Sequence, residues 1–443
     1  MKIFQDLLSK LELKAESINN FWLLIAVLAM VLRLLTVLIG NNYDIESWVI
    51  VGKSVSSGGI VYLDTFRYTT GPIWCYVLGA IYYIHSNLGL TDVMSFHFMV
   101  SLFLSIIDLI SAYLISRYYK PIAGIIILLS PISILISGFH AQFEGFALLA
   151  ALLSWIITSK SSPESKNHIL SALLIGVSLI IKHILVFYPL WLFLSSRNIS
   201  FRNRMIYAIV PYSLFLIAFV PFMIEPQVRE SVINHVFKYE SAIGSSLLGL
   251  LLSPIPDLIM KDILGVIPVF SGMKFFFFIG MFITGIIVAR RNFSMTFFFY
   301  LISMIVMTPA MADQYLVIPM AACALFIKHY EIRYYLLFSS LYLIFITPNN
   351  IGPHFVPQLI EGAKNLFSSL SNMNSSDLFA VAGIPALPDS VSQVTSKYDS
   401  SETLIFMKEI AKKVLFLAYP FIQLWLLLFY IKYIVGKHKI NSY

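Results

Sequence analysis

Charge is what this chain has least of: Asp, Glu, Lys and Arg make up 12% of its 443 residues, against 58% hydrophobic and 15% aromatic. So little polar surface cannot cover a soluble globule of this size. The alternating pattern of a β-barrel is absent as well. Only two cysteines occur, Cys75 and Cys323, both in apolar stretches, and they offer neither a metal-ligand spacing nor a disulfide framework. There is no Walker loop, no dinucleotide-binding glycine pattern, no His/Cys metal spacing and no nucleic-acid module, so neither a soluble nucleotide-sugar site nor a nucleic-acid partner is supported. No internal repeat is evident, and the inverted-repeat signature of many secondary transporters is therefore missing.

What is present is a succession of apolar runs along the whole length, many near the roughly 20 residues that a helix needs to cross a hydrocarbon core. Backbone polar groups must be satisfied inside lipid, so the runs read as helices. The expected fold is an all-α polytopic membrane protein, a bundle of about 11–13 transmembrane helices embedded in a lipid bilayer. The first run, Phe21 to Gly40, follows Lys2, Lys10 and Lys14 and lacks a small-residue cleavage site, so it reads as a retained helix. Residues 1–346 are expected to form the transmembrane module, 347–409 a polar extracytoplasmic loop or small cap with an amphipathic helix at Pro357 to Leu370, and 410–443 a last helix with a basic tail.

The net charge of +7 is explained mostly by topology, because Lys and Arg cluster between apolar runs: Lys10/Lys14, Arg117/Lys120, Lys160/Lys166, Arg197/Arg202/Arg204, Arg290/Arg291, Lys328/Arg333 and Lys432/Lys437/Lys439. With those clusters cytoplasmic, segments 41–71, 138–145, 225–262, 310–314 and 348–409 face the other side. One count fails. Two apolar segments, 72–86 and 93–116, separate the outside segment 41–71 from Arg117, where an odd number of crossings is required. An incomplete or strongly tilted segment at 72–86 is the preferred solution, since about fifteen residues rise only about 22 Å as a helix.

Two carboxylates in so greasy a chain are the first candidates for chemistry. Asp44 and Glu46 follow the first apolar run within Asn41-Asn42-Tyr43-Asp44-Ile45-Glu46-Ser47-Trp48. On a strand or irregular loop they share a side; on a helix they diverge by about 200°. A general base beside a second, acceptor-positioning carboxylate is one reading, and a solvated acidic loop is the other. Lys182 and His183 interrupt the apolar run Ile169 to Leu194. A charge at that depth faces a cavity, a phosphate or a carboxylate such as Glu144, or snorkels to an interface. His140, Gln142 and Glu144 gather at a turn between apolar runs, either lining a site or capping the turn. Further positive groups on the outer segments are Lys53, Arg67, Arg229, His235, Lys238 and His354. Asp108 lies inside an apolar helix and should be paired. The aromatic stripes Phe275 to Phe278 and Phe297 to Tyr300 face lipid, pack, or line a lipid groove.

The order of motifs resembles the GT-C superfamily of membrane glycosyltransferases. An acidic motif after the first helix, Tyr43-Asp44-Ile45-Glu46, precedes a Gly58 to Tyr62 turn and a Tyr68 to Pro72 entry to the next helix. Ser130-Pro131-Ile132 with Gly138-Phe139-His140-Ala141-Gln142-Phe143-Glu144-Gly145, then Ile181-Lys182-His183 with Tyr188-Pro189-Leu190-Trp191, and Asp313-Gln314-Tyr315-Leu316 continue the resemblance over about residues 20–330.

The resemblance implies an inverting transferase that moves a hexose of mannose or glucose type from a polyprenyl-phosphate sugar to a hydroxyl of a glycan, lipid or protein acceptor, on the extracytoplasmic face of a prokaryotic plasma membrane. With it, catalysis is expected of Asp44 and Glu46 and substrate binding of His140, Gln142, Glu144, His183, Gln314 and Tyr315, while the charge and position of Lys182, Lys238, Arg67 and His235 make them the candidates to hold the donor phosphate. It implies metal-independent catalysis; a divalent cation beside Asp44 and Glu46 is chemically compatible with their hard oxygens. The acidic motif here is Asp-x-Glu where members vary, and the C-terminal third matches no subfamily. A lipid-linked saccharide flippase and an O-antigen-type polymerase or ligase are the alternatives.

Overall fold

The computed structural model describes residues 19–159, 161–162, 164–195, 199–238, 246–248, 272–289, 293–347 and 417–436. The cap expected at 348–409, with Pro357 to Leu370 and His354, lies outside the described residues. So do Lys10, Lys14, Lys160, Arg197, Arg290, Arg291, Lys437 and Lys439, and most of 239–262. Among the described residues the chain is helical and contains no strand.

Among the described residues four helices are long and apolar enough to cross a membrane: Trp22–Ile39, Val93–Tyr118, Phe201–Met223 and Leu417–Val435. Glu144–Ser159, Asn167–Ile181, Lys274–Val288 and Met295–Met307 are apolar but shorter. Eleven to thirteen unbroken spans are thus not what the described residues contain, because several apolar runs are divided. Ser130 is extended and Pro131 follows it, splitting 121–137 into Pro121–Leu129 and Pro131–Ser137. Lys182, also extended, ends Asn167–Ile181 before a short 3-10 turn leads into Tyr188–Leu194.

In chain order the elements needed below are α1 (Asn19–Ile39), α2 (Tyr43–Ser56), α3 (Val61–Asp64), α4 (Pro72–Asn87), α5 (Val93–Tyr118), α6 (Pro121–Leu129), α7 (Pro131–Ser137), α8 (Glu144–Ser159), α9 (Asn167–Ile181), α10 (Tyr188–Leu194) and α11 (Phe201–Met223). After them come α12 (Gly272–Val288), α13 (Phe293–Met307), α14 (Tyr330–Ile346) and α15 (Leu417–Val435).

Helices α1 and α5 run antiparallel, tied at three levels. Trp22 Nε1 donates to Ser116 Oγ at one pole (2.8 Å). Midway, Arg33 Nε lies 3.4 Å from Asp108 Oδ2. At the other pole Gly138 packs against Thr36 of α1, while its carbonyl accepts from His97 Nε2 (2.9 Å) and Ser101 Oγ (2.7 Å) of α5. The pairing expected for Asp108 is met by Arg33, which is fully buried and gives its other N–H groups to the carbonyls of Ala29 (3.1 Å) and Leu128 (2.9 Å) and to Ser133 Oγ (2.7 Å). Asp108 Oδ2 also accepts from Ser133 and, at 2.6 Å, from Ser137. This brace joins α1, α5, α6 and α7 with its charges paired, as buried ions require.

Helix α4 keeps to one end of the bundle. Helix α4 starts where Gly71 packs on the carbonyl of Ile180, the last turn of α9. It ends where His85 Nε2 meets Ser95 Oγ (2.8 Å) and Asp92 O (3.2 Å) at the start of α5. Both places belong to the Gly138 pole, so residues 40–92 leave and return at one end of the bundle, and α4 does not traverse it. The segment expected as a loop at 41–71 is in fact mostly helix, α2 and α3, packed along α4 through Trp48 edge-on to Trp74 (6.0 Å) and Trp74 stacked on Phe143 (4.6 Å). No side chain fits at 71: a Cβ there would collide with the Ile180 carbonyl, which is backbone. Gly71→Ala should therefore lower the unfolding temperature in detergent, at a cost of about 1–3 kcal/mol; an unchanged melt would contradict this packing.

At the opposite pole, Tyr119 stacks on Trp155 (5.0 Å), and Thr158, Ser171, His168 and Tyr207 form a closed hydrogen-bond cluster joining α8, α9 and α11. Arg117, Lys120, Lys166, Arg202 and Arg204 belong to the helix ends gathered there.

Candidate active site

The polar pocket lies at the Gly138 pole. It has a volume of about 230 Å³ and is lined by Asn42, Tyr43, Asp44, His140, Asp313 and Gln314. Three chain reversals bring these residues together: the exit of α1, the turn between α7 and α8, and the 3-10 turn Asp313–Val317 after α13.

Asn42 organises one wall. As N-cap of α2 it is extended, and its Oδ1 accepts from the Asp44 backbone N–H (3.2 Å). That bond fixes which way the amide faces, so Nδ2 donates to Asp44 Oδ2 (3.2 Å) and to His140 Nδ1 (3.0 Å). Because His140 Nδ1 accepts, the proton of the neutral ring sits on Nε2. That Nε2 is buried and has no hydrogen-bond partner among the described residues. Burial pushes the His140 pKa down and favours the neutral ring, with Asp313 and Asp44 opposing.

The turn holding His140 is strained. Ala141 has φ of +46°, the left-handed region that residues with a Cβ seldom enter. The kink lets His140 and Gln142 both serve the site: Gln142 Nε2 donates to Asp44 Oδ2 at 2.6 Å. Asp44 thus has Oδ2 held by two amides, with no hydrogen bond on Oδ1 among the described residues. Burial raises its pKa, and Lys182, His140 and the two amide bonds act against that rise. The result is a carboxylate more basic than an exposed one.

Behind this wall Lys182 Nζ donates to Glu144 Oε1 and lies 4.5 Å over the Phe143 ring. Glu144 is fully buried, and its Oε2 has no partner among the described residues. Of the options the sequence leaves for Lys182, the carboxylate partner Glu144 is the one found in the structure. On the far wall, Asp313 Oδ1 accepts from Tyr419 Oη of α15 (2.5 Å), and Tyr342 of α14 packs on that tyrosine ring (5.0 Å).

Other expected site residues lie elsewhere. Glu46, on the first turn of α2, points away from Asp44, as helical spacing requires. Its Oε2 is 4.0 Å from Arg67 Nη1, and it is partly exposed. Among the described residues no group of three or more His, Cys, Asp or Glu is placed to hold a metal ion. Arg67 reaches the rim, its guanidinium 4.2 Å over the ring of Tyr43. His235 Nδ1 bonds Ser231 Oγ (3.1 Å), which in turn donates to the Tyr62 carbonyl, and Lys238 is exposed nearby; neither lines the pocket. His183 is exposed outside the pocket, and Tyr315 packs into the core while its neighbour Gln314 faces the cavity. Asn42 and Asp313 were not among the expected binding residues. The Asx cap pattern Asn-x-Asp at the start of a helix was the available signal for Asn42.

No protein-family model matches the chain, and no curated protein matches it either. The chemistry must therefore be argued from the pocket.

Proposed function

We propose that the protein is an integral-membrane, inverting glycosyltransferase of GT-C type that takes a hexose from a polyprenyl-phosphate sugar. The observation that carries this reading is Asp44: a carboxylate made more basic by burial, with one oxygen pinned by Asn42 and Gln142 and the other turned to a polar pocket. An acceptor hydroxyl placed there gives its proton to Asp44 Oδ1 as its oxygen attacks the anomeric carbon in line; the C–O bond to the phosphate breaks, and the phosphate leaves with that electron pair. Arg67, at the rim over Tyr43, is the basic residue placed to meet the departing phosphate, and a guanidinium can do so with two parallel N–H groups. Lys182 is committed to Glu144 and acts on Asp44 through its field.

The basic residues at the opposite pole support an extracytoplasmic pocket, since positive helix ends stay in the cytoplasm. A lipid-borne donor suits a site at a bundle end, where its chain remains in the membrane. The decisive experiment offers labelled polyprenyl-phosphate mannose and glucose to membranes containing the protein and analyses the lipid that copurifies with it. A new glycosidic bond that depends on the protein is expected. Labelled saccharide that crosses liposomes with no bond formed would overturn the transferase reading in favour of a flippase.

A further inference from the structure

The pocket has a charge of its own. Its lining residues include two carboxylates, Asp44 and Asp313, and no lysine or arginine among the described residues. Lys182 is paired with Glu144, and Arg67 stands outside the cavity lining, over Tyr43 at the rim. The remaining lining groups are amides, a neutral imidazole and a tyrosine, and the buried Nε2–H of His140 has nothing to donate to among the described residues. Such a wall offers donors and acceptors to hydroxyls and repulsion to anions.

We infer that this pocket binds the hydroxyl face of an uncharged sugar and rejects uronic acids and other anionic saccharides, with Asp313 as the residue that sets this selectivity. The inference rests on the glycosyl-transfer reading of the pocket. Asp313 is suited to the task by position. It stands on a different turn from Asp44, and Tyr419 holds its Oδ1, so the carboxylate keeps one orientation toward the cavity. Gln314 and Tyr43 add polar groups to the cavity wall that can meet sugar hydroxyls. An anionic sugar is rejected because its carboxylate meets two like charges and no cation among the described lining residues, even where every hydroxyl is well placed.

Binding, measured apart from transfer, tests this. Purified protein in lipid nanodiscs is titrated with methyl hexopyranosides and with the matching methyl hexuronopyranosides, and saturation-transfer NMR reads the binding. The hexoside is expected to bind about tenfold or more tightly than the uronoside. Asp313→Asn, which keeps an acceptor for Tyr419, should shrink that ratio to within about threefold, whereas Tyr419→Phe, which keeps the charge, should leave discrimination in place. Equal binding of hexoside and uronoside to the wild type, no binding of either, or unchanged discrimination in Asp313→Asn would each overturn the inference. If the wild type binds both sugars equally yet still transfers hexose from polyprenyl phosphate, the charge filter falls and the transferase stands. Discrimination without any transfer leaves the filter standing and removes the transferase.

Discussion

Replacing Arg33 by methionine is expected to destabilise the folded protein by about 3–5 kcal/mol, the usual penalty for leaving one buried charge without its partner. The guanidinium bonds to Asp108, Ser133 and the carbonyls of Ala29 and Leu128, and it sits in a cavity closed to solvent. Without it, Asp108 keeps only the hydroxyls of Ser133 and Ser137. The reverse change, Asp108→Leu, strands the arginine and should be of similar size. Arg33→Met combined with Asp108→Leu should cost far less than the sum of the single changes, because the pair's desolvation is removed together with its attraction. Unfolding in detergent, monitored by helical signal, gives the cycle; strict additivity would mean that the brace is not a unit.

The second large effect is on rate. Asp44→Asn should reduce glycosyl transfer by about 10²–10⁴-fold, the range a positioned general base supplies, while leaving the fold intact or slightly firmer. Burial raises the folded-state pKa of Asp44, so the folded chain holds this proton more tightly than the unfolded chain does. The group's contribution to stability is greatest at low pH and is lost as pH rises through the raised value. Removing the charge therefore relieves a cost at neutral pH, and loss of activity in Asp44→Asn cannot be blamed on unfolding. The same shift sets the pH profile: transfer should rise with pH along a limb lying above the ordinary carboxylate range, and the limb should vanish in the variant. Glu46→Gln, touching only the exposed pairing with Arg67 at 4.0 Å, should change stability by about 0–1 kcal/mol. Full transfer by well-folded Asp44→Asn protein would end Asp44's role as base.

Much of the architecture is legible in the residues alone. The scarcity of charge forces a helical chain with apolar helices, and Lys182 announces itself by interrupting a run that should have been uniformly apolar. Charge-cluster parity favours an incomplete segment at 72–86, and α4 keeps to one end of the bundle. Arg33 is hard to single out because one arginine in a 21-residue apolar helix looks like any snorkelling cation, and its partner lies 75 residues away. Glu46 pairs with Asp44 on a loop but not on a helix, and Asp-x-Glu by itself does not say which; the Asn42 cap, one residue before Tyr43, decides between them. Asp313 stands beside Gln314 in a recognisable motif, but nothing local tells that it faces Asp44 across a cavity. Contacts between distant turns are set by how helices pack, and periodicity carries no trace of them.

The out-and-back course of residues 40–92 has a consequence for how such a chain can change over evolution. A segment that returns to the pole it left contributes an even number to the orientation of everything downstream. A change in the length of its exposed turns leaves α5 and the helices after it running in the same direction through the bundle. Adding or deleting one true span elsewhere would turn all later helices over. The stretch that carries Asp44 can thus vary at its exposed turns without reorienting the bundle, while Asn42, Trp48, Gly71 and Trp74 stay fixed by their packing.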